Sequence, residues 1–176
     1  MQVFLIRHPP PIIAPGTCYG RLDVDCRDPE AAARALRPRL PAGVAVHSSP
    51  ARRALRLAVA LFPQTPVNVD PRLDEIDFGA WEGRRWDDID RREIDAWAAD
   101  VSGFAPPGGE SVAALYARAL DFAASLENDA IVVTHAGVMR ALTGHWRRLP
   151  VADWSRLEFA FSELARFDIR RAERSP

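Results

Sequence analysis

The sequence predicts an α/β protein, a three-layer α/β/α sandwich with a mostly parallel central sheet. Three observations predict it. Short apolar runs of strand length alternate with longer stretches of helical periodicity. The runs "VFLI" at 3–6 and "AIVV" at 130–133 have no polar interruption, as strands buried on both faces do. Each of these two runs is followed by one residue and then a histidine, His8 or His135.

The elements follow in order. The first strand is "VFLI", ending at Arg7 and His8. A second strand, "VAVH" at 44–47, leads into the helix "SSPARRALRLAVALF", with Ser48 or Ser49 as cap and Pro50 at the first helical position. Ala54, Leu57, Ala58 and Leu61 keep helical spacing there. "VNV" at 67–69 is a third strand. A helical, tryptophan-rich excursion covers about residues 82–110, its helix ending near Ala99. The turn "PPGGE" precedes a helix from about Ser111 to Leu126. "AIVVT" at 130–134 and "LARFDI" at 164–169 complete the sheet. The 176 residues are expected to form one domain.

Composition narrows the function. A formal net charge of -1 gives no global attraction for nucleic acid or an anionic membrane, so neither is an expected partner. All 23 basic residues are arginine, spread along the whole chain. No run of about 18 apolar residues and no secretory leader pattern is present, so a soluble, cytoplasmic protein is expected. Cys18 and Cys26 have no zinc-like spacing and are expected as reduced thiols. The four histidines lack ligand-spaced partners, so neither a metal nor a cofactor is expected.

If the strands before His8 and His135 are parallel members of one sheet, their carboxyl ends share the edge where open α/β sheets bind ligands. The two imidazoles then face one crevice. Arg7 lies at the same edge, and Arg53 stands about one turn into the helix that follows "VAVH". A helix N-terminus with arginine forks suits phosphate oxygens. In "RLDEIDFGAWEG", the acids Asp74, Glu75, Asp77 and Glu82 surround a glycine turn beside aromatic residues. Such a partly closed setting can raise a carboxyl pKa.

These motifs resemble the histidine phosphatase superfamily, in its phosphoglycerate-mutase-like branch. "LIRH", "SSPARRA", "LDEIDFGAWEG", "PPGGES" and "IVVTHAGVMRAL" follow the family's order over residues 3–142. The segment "GTCYGRLDV" and the short chain are similar to the alpha-ribazole phosphatases of cobalamin assembly. The resemblance implies His8 as nucleophile, with Arg7, Arg53 and His135 holding phosphoryl oxygens. Glu75 would be the general acid, Glu82 and Asp77 being reserves for that role. Phosphoryl transfer asks mainly for alignment and charge stabilisation, which guanidiniums supply without a metal. His8 should be fixed in one tautomer by a carbonyl on its other ring nitrogen.

The chain departs from the family at Pro9 and Pro10, where glycine and an acid or small polar residue are usual, and it lacks a later phosphate-binding asparagine. Thr17 or the amides near Gly16 are the substitutes, and Tyr19 is a candidate for substrate contact. His47 is expected to bond backbone at a strand end, and His145 to be at the surface. Trp81, Trp86 and Trp97 are either a core cluster or a wall for an aromatic substrate. "RRLPVADWSRLEFAF" is either a homodimer patch or packs at home. The expected activity is metal-independent phosphomonoester hydrolysis through phosphohistidine, with alpha-ribazole 5'-phosphate as lead substrate. The alternatives are a phosphohistidine protein phosphatase, a mutase-type phosphoryl transferase, and a non-catalytic binder of phosphorylated ligands.

Overall fold

In strand β1 (Gln2–Arg7), Val3 and Leu5 point to one side of the sheet and Phe4 and Ile6 to the other, each 4% exposed or less. Strand β4 (Ala130–Thr134) repeats this, with Ala130 and Val132 on the first side and Ile131 and Val133 on the second. Such period-two division of an all-apolar strand is possible only where helices cover both faces. The structure, a computed structural model, describes residues 1–169.

The other strands are β2 (Ala45–Ser48), β3 (Val67–Val69) and β5 (Leu164–Asp168). Their order is β3-β2-β4-β1-β5, parallel throughout except for β5, which runs antiparallel to β1 at the edge. Helices α1 (Pro29–Leu36) and α2 (Arg52–Leu61) cover the second face through Ala33, Leu36, Ala54, Leu57 and Leu61. Helices α4 (Val112–Ala124) and α5 (Ala136–Trp146) cover the first through Leu115, Phe122, Val138, Met139 and Leu142. Burying each Leu, Met or Phe is worth about 1.5–3 kcal/mol, which holds three layers together without a disulfide.

Several boundaries differ from the sequence expectation. Helix α2 has Ala51 as its N-cap, so Pro50 lies before the helix and no serine caps it. Ser49 Oγ instead accepts from the Ala51 amide at 3.1 Å. Helix α1 was not expected, although Asp28 caps it and Pro29 occupies its first turn. Helix α5, likewise not expected, starts directly after His135. The excursion is less helical than expected: a 3₁₀ turn at Trp86–Asp88, then α3 (Arg91–Ala99) and loop. Gly83, at φ 79°, interrupts the rest. A short α6 (Val151–Trp154) follows α5.

The excursion has its own small core. Trp81 is fully buried and packs with Cys18, Ile89, Phe78, Trp86, Trp97 and Phe104. Its indole N–H is held by the Glu93 carboxylate. Trp86 and Trp97 stack at 5.8 Å between ring centres, so the tryptophans are chiefly a packing cluster. Trp154 likewise packs on Tyr116 at 5.0 Å, and Phe159 lies against the main core, so much of "RRLPVADWSRLEFAF" packs at home.

Candidate active site

Register brings the histidines together. Arg7 pairs with Thr134 across the parallel β1–β4 ladder, so the next residues, His8 and His135, leave the sheet side by side. Their ring centres are 5.0 Å apart. The His8 amide donates to the Thr134 carbonyl at 3.0 Å, extending the ladder by one bond. His8 is 2% exposed and His135 is fully buried.

Each ring has a defined tautomer. His8 Nδ1 lies 2.6 Å from the Pro9 carbonyl oxygen, which can only accept, so Nδ1 carries the proton and Nε2 is bare. The proline run thus supplies the orienting acceptor without displacing His8 from the sheet edge. Ser49 Oγ donates to Asp74 Oδ1 at 2.6 Å and accepts from the Ala51 amide at 3.1 Å. Its third contact, to His135 Nε2 at 2.8 Å, therefore receives the His135 Nε2–H. His135 Nδ1 is left buried and without a partner.

Burial keeps both rings neutral. Desolvation, reinforced by the Arg53 guanidinium, holds His8 down to about 3 and His135 well below the usual imidazole range. Asp74 is pushed up by desolvation, against the pull of Ser49 and nearby arginines.

The arginines are placed differently from one another. Arg7 Nη1 donates to the Phe159 carbonyl at 2.6 Å, and its guanidinium lies 3.9 Å from the Phe161 ring centre and interacts electrostatically with Tyr19. Arg53 is the second residue of α2 and fully buried. Its Nη1 and Nη2 hold the carbonyls of Leu22 and Gly20, bracing the loop after β1. The Nε atoms of both Arg7 and Arg53 are buried without a partner. Three of the four unpartnered buried side-chain atoms among the described residues thus belong to Arg7, Arg53 and His135. Of the three, the two arginine Nε–H groups are donors, whereas His135 Nδ1 is a lone pair in the neutral ring.

A cavity of about 400 Å³ has Arg7, His8, Tyr19 and Glu75 among its lining residues. Glu75 Oε1 accepts from the Ile76 amide at 3.0 Å and Oε2 from the Gly137 amide at 3.1 Å, which aims the carboxyl from two sides. Arg53 and His135 stand outside this lining, and no three His, Cys, Asp or Glu among the described residues are grouped to hold a metal.

Several sequence candidates lie elsewhere. Glu82 accepts from the amides of Gly20, Arg21, Leu22 and Phe78 at 2.9–3.2 Å, which makes it a loop brace rather than a reserve acid. Asp77 caps the Gly79 amide and pairs with Arg21 outside the cavity lining. Thr17 pairs through backbone with Arg85 of the excursion and does not line the cavity. His47 lies inside β2, edge-on to Phe122 at 5.4 Å. His145 is half-buried on α5 rather than a surface residue.

Sequence reasoning missed Ser49 as the partner of His135 and Asp74 as the partner of Ser49, Phe161 over Arg7 and 5.5 Å from the His8 ring, and Tyr116 and Arg140 in the cavity wall. Arg140 carried a signal: it follows Gly137 by nearly one helical turn, on the helix that starts at the second histidine.

A profile of the histidine phosphatase superfamily (branch 1) matches residues 3–175. The glucosyl-3-phosphoglycerate phosphatase of Mycolicibacterium vanbaalenii is 35% identical, over 77% of this chain and 68% of the relative. The adenosylcobalamin/alpha-ribazole phosphatase of Escherichia coli is 33% identical, over 49% of this chain and 47% of the relative. Among solved structures, native mycobacterial glucosyl-3-phosphoglycerate phosphatase superposes with a TM-score of 0.80 at 28% identity, covering 94% of this chain and 88% of that one. A Thermus thermophilus crystal structure gives 0.76 at 31% identity, covering 96% and 94%.

Proposed function

The chain belongs to branch 1 of the histidine phosphatase superfamily, and from that premise we propose that it hydrolyses small phosphomonoesters through a phosphohistidine at His8, without a metal. His8 Nε2 attacks phosphorus as the ester P–O bond breaks, and Glu75 delivers its proton to the departing oxygen. Water then gives a proton to Glu75 as its oxygen attacks phosphorus and the P–N bond breaks, releasing phosphate and neutral His8. Arg7, Arg53 and His135 stabilise the spread negative charge of the transferring group.

The observation that carries this reading is the pairing of a bare, carbonyl-oriented His8 Nε2 with three orphaned buried nitrogens on Arg7, Arg53 and His135. A nucleophile must be unprotonated, and a tetrahedral oxyanion needs donors that nothing else has claimed: the two arginine Nε–H groups are such donors, and His135 Nδ1 becomes one when the arriving anion brings a proton to that ring.

For the substrate, the broader of the two matches favours a sugar-acid phosphate of the glucosyl-3-phosphoglycerate kind. A second reading, alpha-ribazole 5'-phosphate, is favoured by Phe78, Trp97 and Tyr116 along the cavity, which suit a flat aromatic base. Hydrolysis of p-nitrophenyl phosphate in excess chelator tests the mechanism. Activity should survive the chelator and vanish in His8→Ala; dependence on added metal, or full activity in the variant, would refute it. Relative kcat/KM for the two substrates, sugar phosphates and phosphohistidine peptides then decides specificity.

A further inference from the structure

The cavity lining holds a second arginine, Arg140, that the phosphate chemistry does not use. Arg140 lies on α5, five residues beyond His135, which displaces it by about 7 Å along the helix axis. Its Nε donates to the Leu157 carbonyl at 2.9 Å. That bond sets the plane of the guanidinium, and no carboxylate among the described residues pairs with its terminal nitrogens. Glu75 is the one acid of the cavity lining, and its oxygens already accept two backbone amides. The same lining includes Leu115, Val112 and Ile76, with Tyr116 and Ser155 as further polar residues.

The geometry points to Arg140 as a specificity-determining residue that holds a carboxylate on the substrate, at the opposite end of the molecule from the phosphoryl group taken by His8. A planar guanidinium anchored at Nε presents a two-pronged fork that matches a carboxylate. A second phosphate would ask for more than one cation at that end, whereas a monoanionic carboxylate is neutralised by one. Charge repulsion reinforces the division: Arg140 and Arg7 act on each other electrostatically, so one anionic group near each relieves both. The apolar lining residues Ile76, Val112 and Leu115 offer no partners for hydroxyls, which favours a short body such as glycerate. The inference rests on the phosphomonoesterase reading above and narrows its substrate class to carboxylate-bearing esters.

The test compares 3-phosphoglycerate with glycerol 3-phosphate, which differ at the carboxylate. The intact protein should prefer 3-phosphoglycerate, and glycerate, unlike glycerol, should inhibit competitively. In Arg140→Gln the ratio of the two kcat/KM values should fall by about 10- to 100-fold, mainly through KM, as loss of a charge-assisted bond predicts. Arg140→Lys, which keeps the charge without the fork, should fall between. An unchanged ratio, whether both activities drop together or neither does, overturns the assignment. Should Arg140→Gln not fold, absence of wild-type preference and of glycerate inhibition overturns it equally. Turnover of p-nitrophenyl phosphate without discrimination between the pair defeats this inference alone; no turnover of any ester defeats the underlying reading with it.

Discussion

Acidification should destabilise this fold through the paired histidines, by an amount set by their burial. Desolvation, then Arg53, then Arg7 hold His8 down to about 3, against the opposing bond to Pro9. In the unfolded chain the same imidazole titrates near 6.5. Between those values the unfolded state binds a proton that the folded state refuses. Stability is therefore complete above the unfolded pKa and is lost as pH falls toward the folded one. At about pH 5 the loss from His8 alone is roughly 2 kcal/mol. His135 is shifted in the same direction and adds to it. Against a typical total of about 5–15 kcal/mol, this is a large fraction. Urea denaturation at about pH 7.5 and pH 5, on the wild type and His8→Asn, measures it. Asparagine keeps a donor for the Pro9 carbonyl and does not titrate. The wild type should therefore lose about 2 kcal/mol more than the variant over that interval. Equal losses in the two proteins would refute the claim that a buried neutral His8 governs acid stability.

Three further outcomes are expected. In Gly137→Ala the new methyl would press on Glu75 Oε1 and stand 3.1 Å from Leu115 Cδ1, forcing the carboxylate off its amide donors; kcat for alkyl phosphates should drop about 10²-fold, with a smaller drop for p-nitrophenyl phosphate. Equal drops would argue against Glu75 as the proton donor. Ser49→Ala strands the His135 Nε2–H, the Ala51 amide and Asp74, and should cost about 2–4 kcal/mol in chemical denaturation; a negligible change would disprove the three-way role of that hydroxyl. Sulfate binding near neutral pH should take up close to one proton, seen by calorimetry in buffers of different ionisation enthalpy. His135 Nδ1 can donate to an oxyanion only in the doubly protonated ring. Zero uptake would place the anion away from that nitrogen.

The sheet and the histidine pair were legible because they are written in short-range pattern. The apolar runs at β1 and β4 state double burial, and the residue after each states where the edge is. Arg7 and Glu75 were equally accessible through the motif order. What escaped was set by long-range packing. Glu82 and Glu75 belong to one acid-rich loop, and nothing local distinguishes a carboxylate that braces four amides from one that faces the cavity. Ser49 resembled a helix cap because capping is the common fate of a serine there; tertiary contact with Asp74 and His135 claimed it instead. Thr17 was misplaced because the turn at Gly16, with φ 76°, directs its backbone toward the excursion. Helix α1 is a different kind of miss, since Asp28 and Pro29 announced it.

The position of β1 has a consequence for biosynthesis. Both strands that flank it, β4 and β5, lie more than 120 residues downstream. Until those segments leave the ribosome, "VFLI" has no neighbouring strand to hydrogen-bond with, and its two greasy faces lack their final cover. The nascent polypeptide therefore depends on shielding by a chaperone or on loose provisional collapse. His8 and His135 can meet only when β4 slots between β1 and β2.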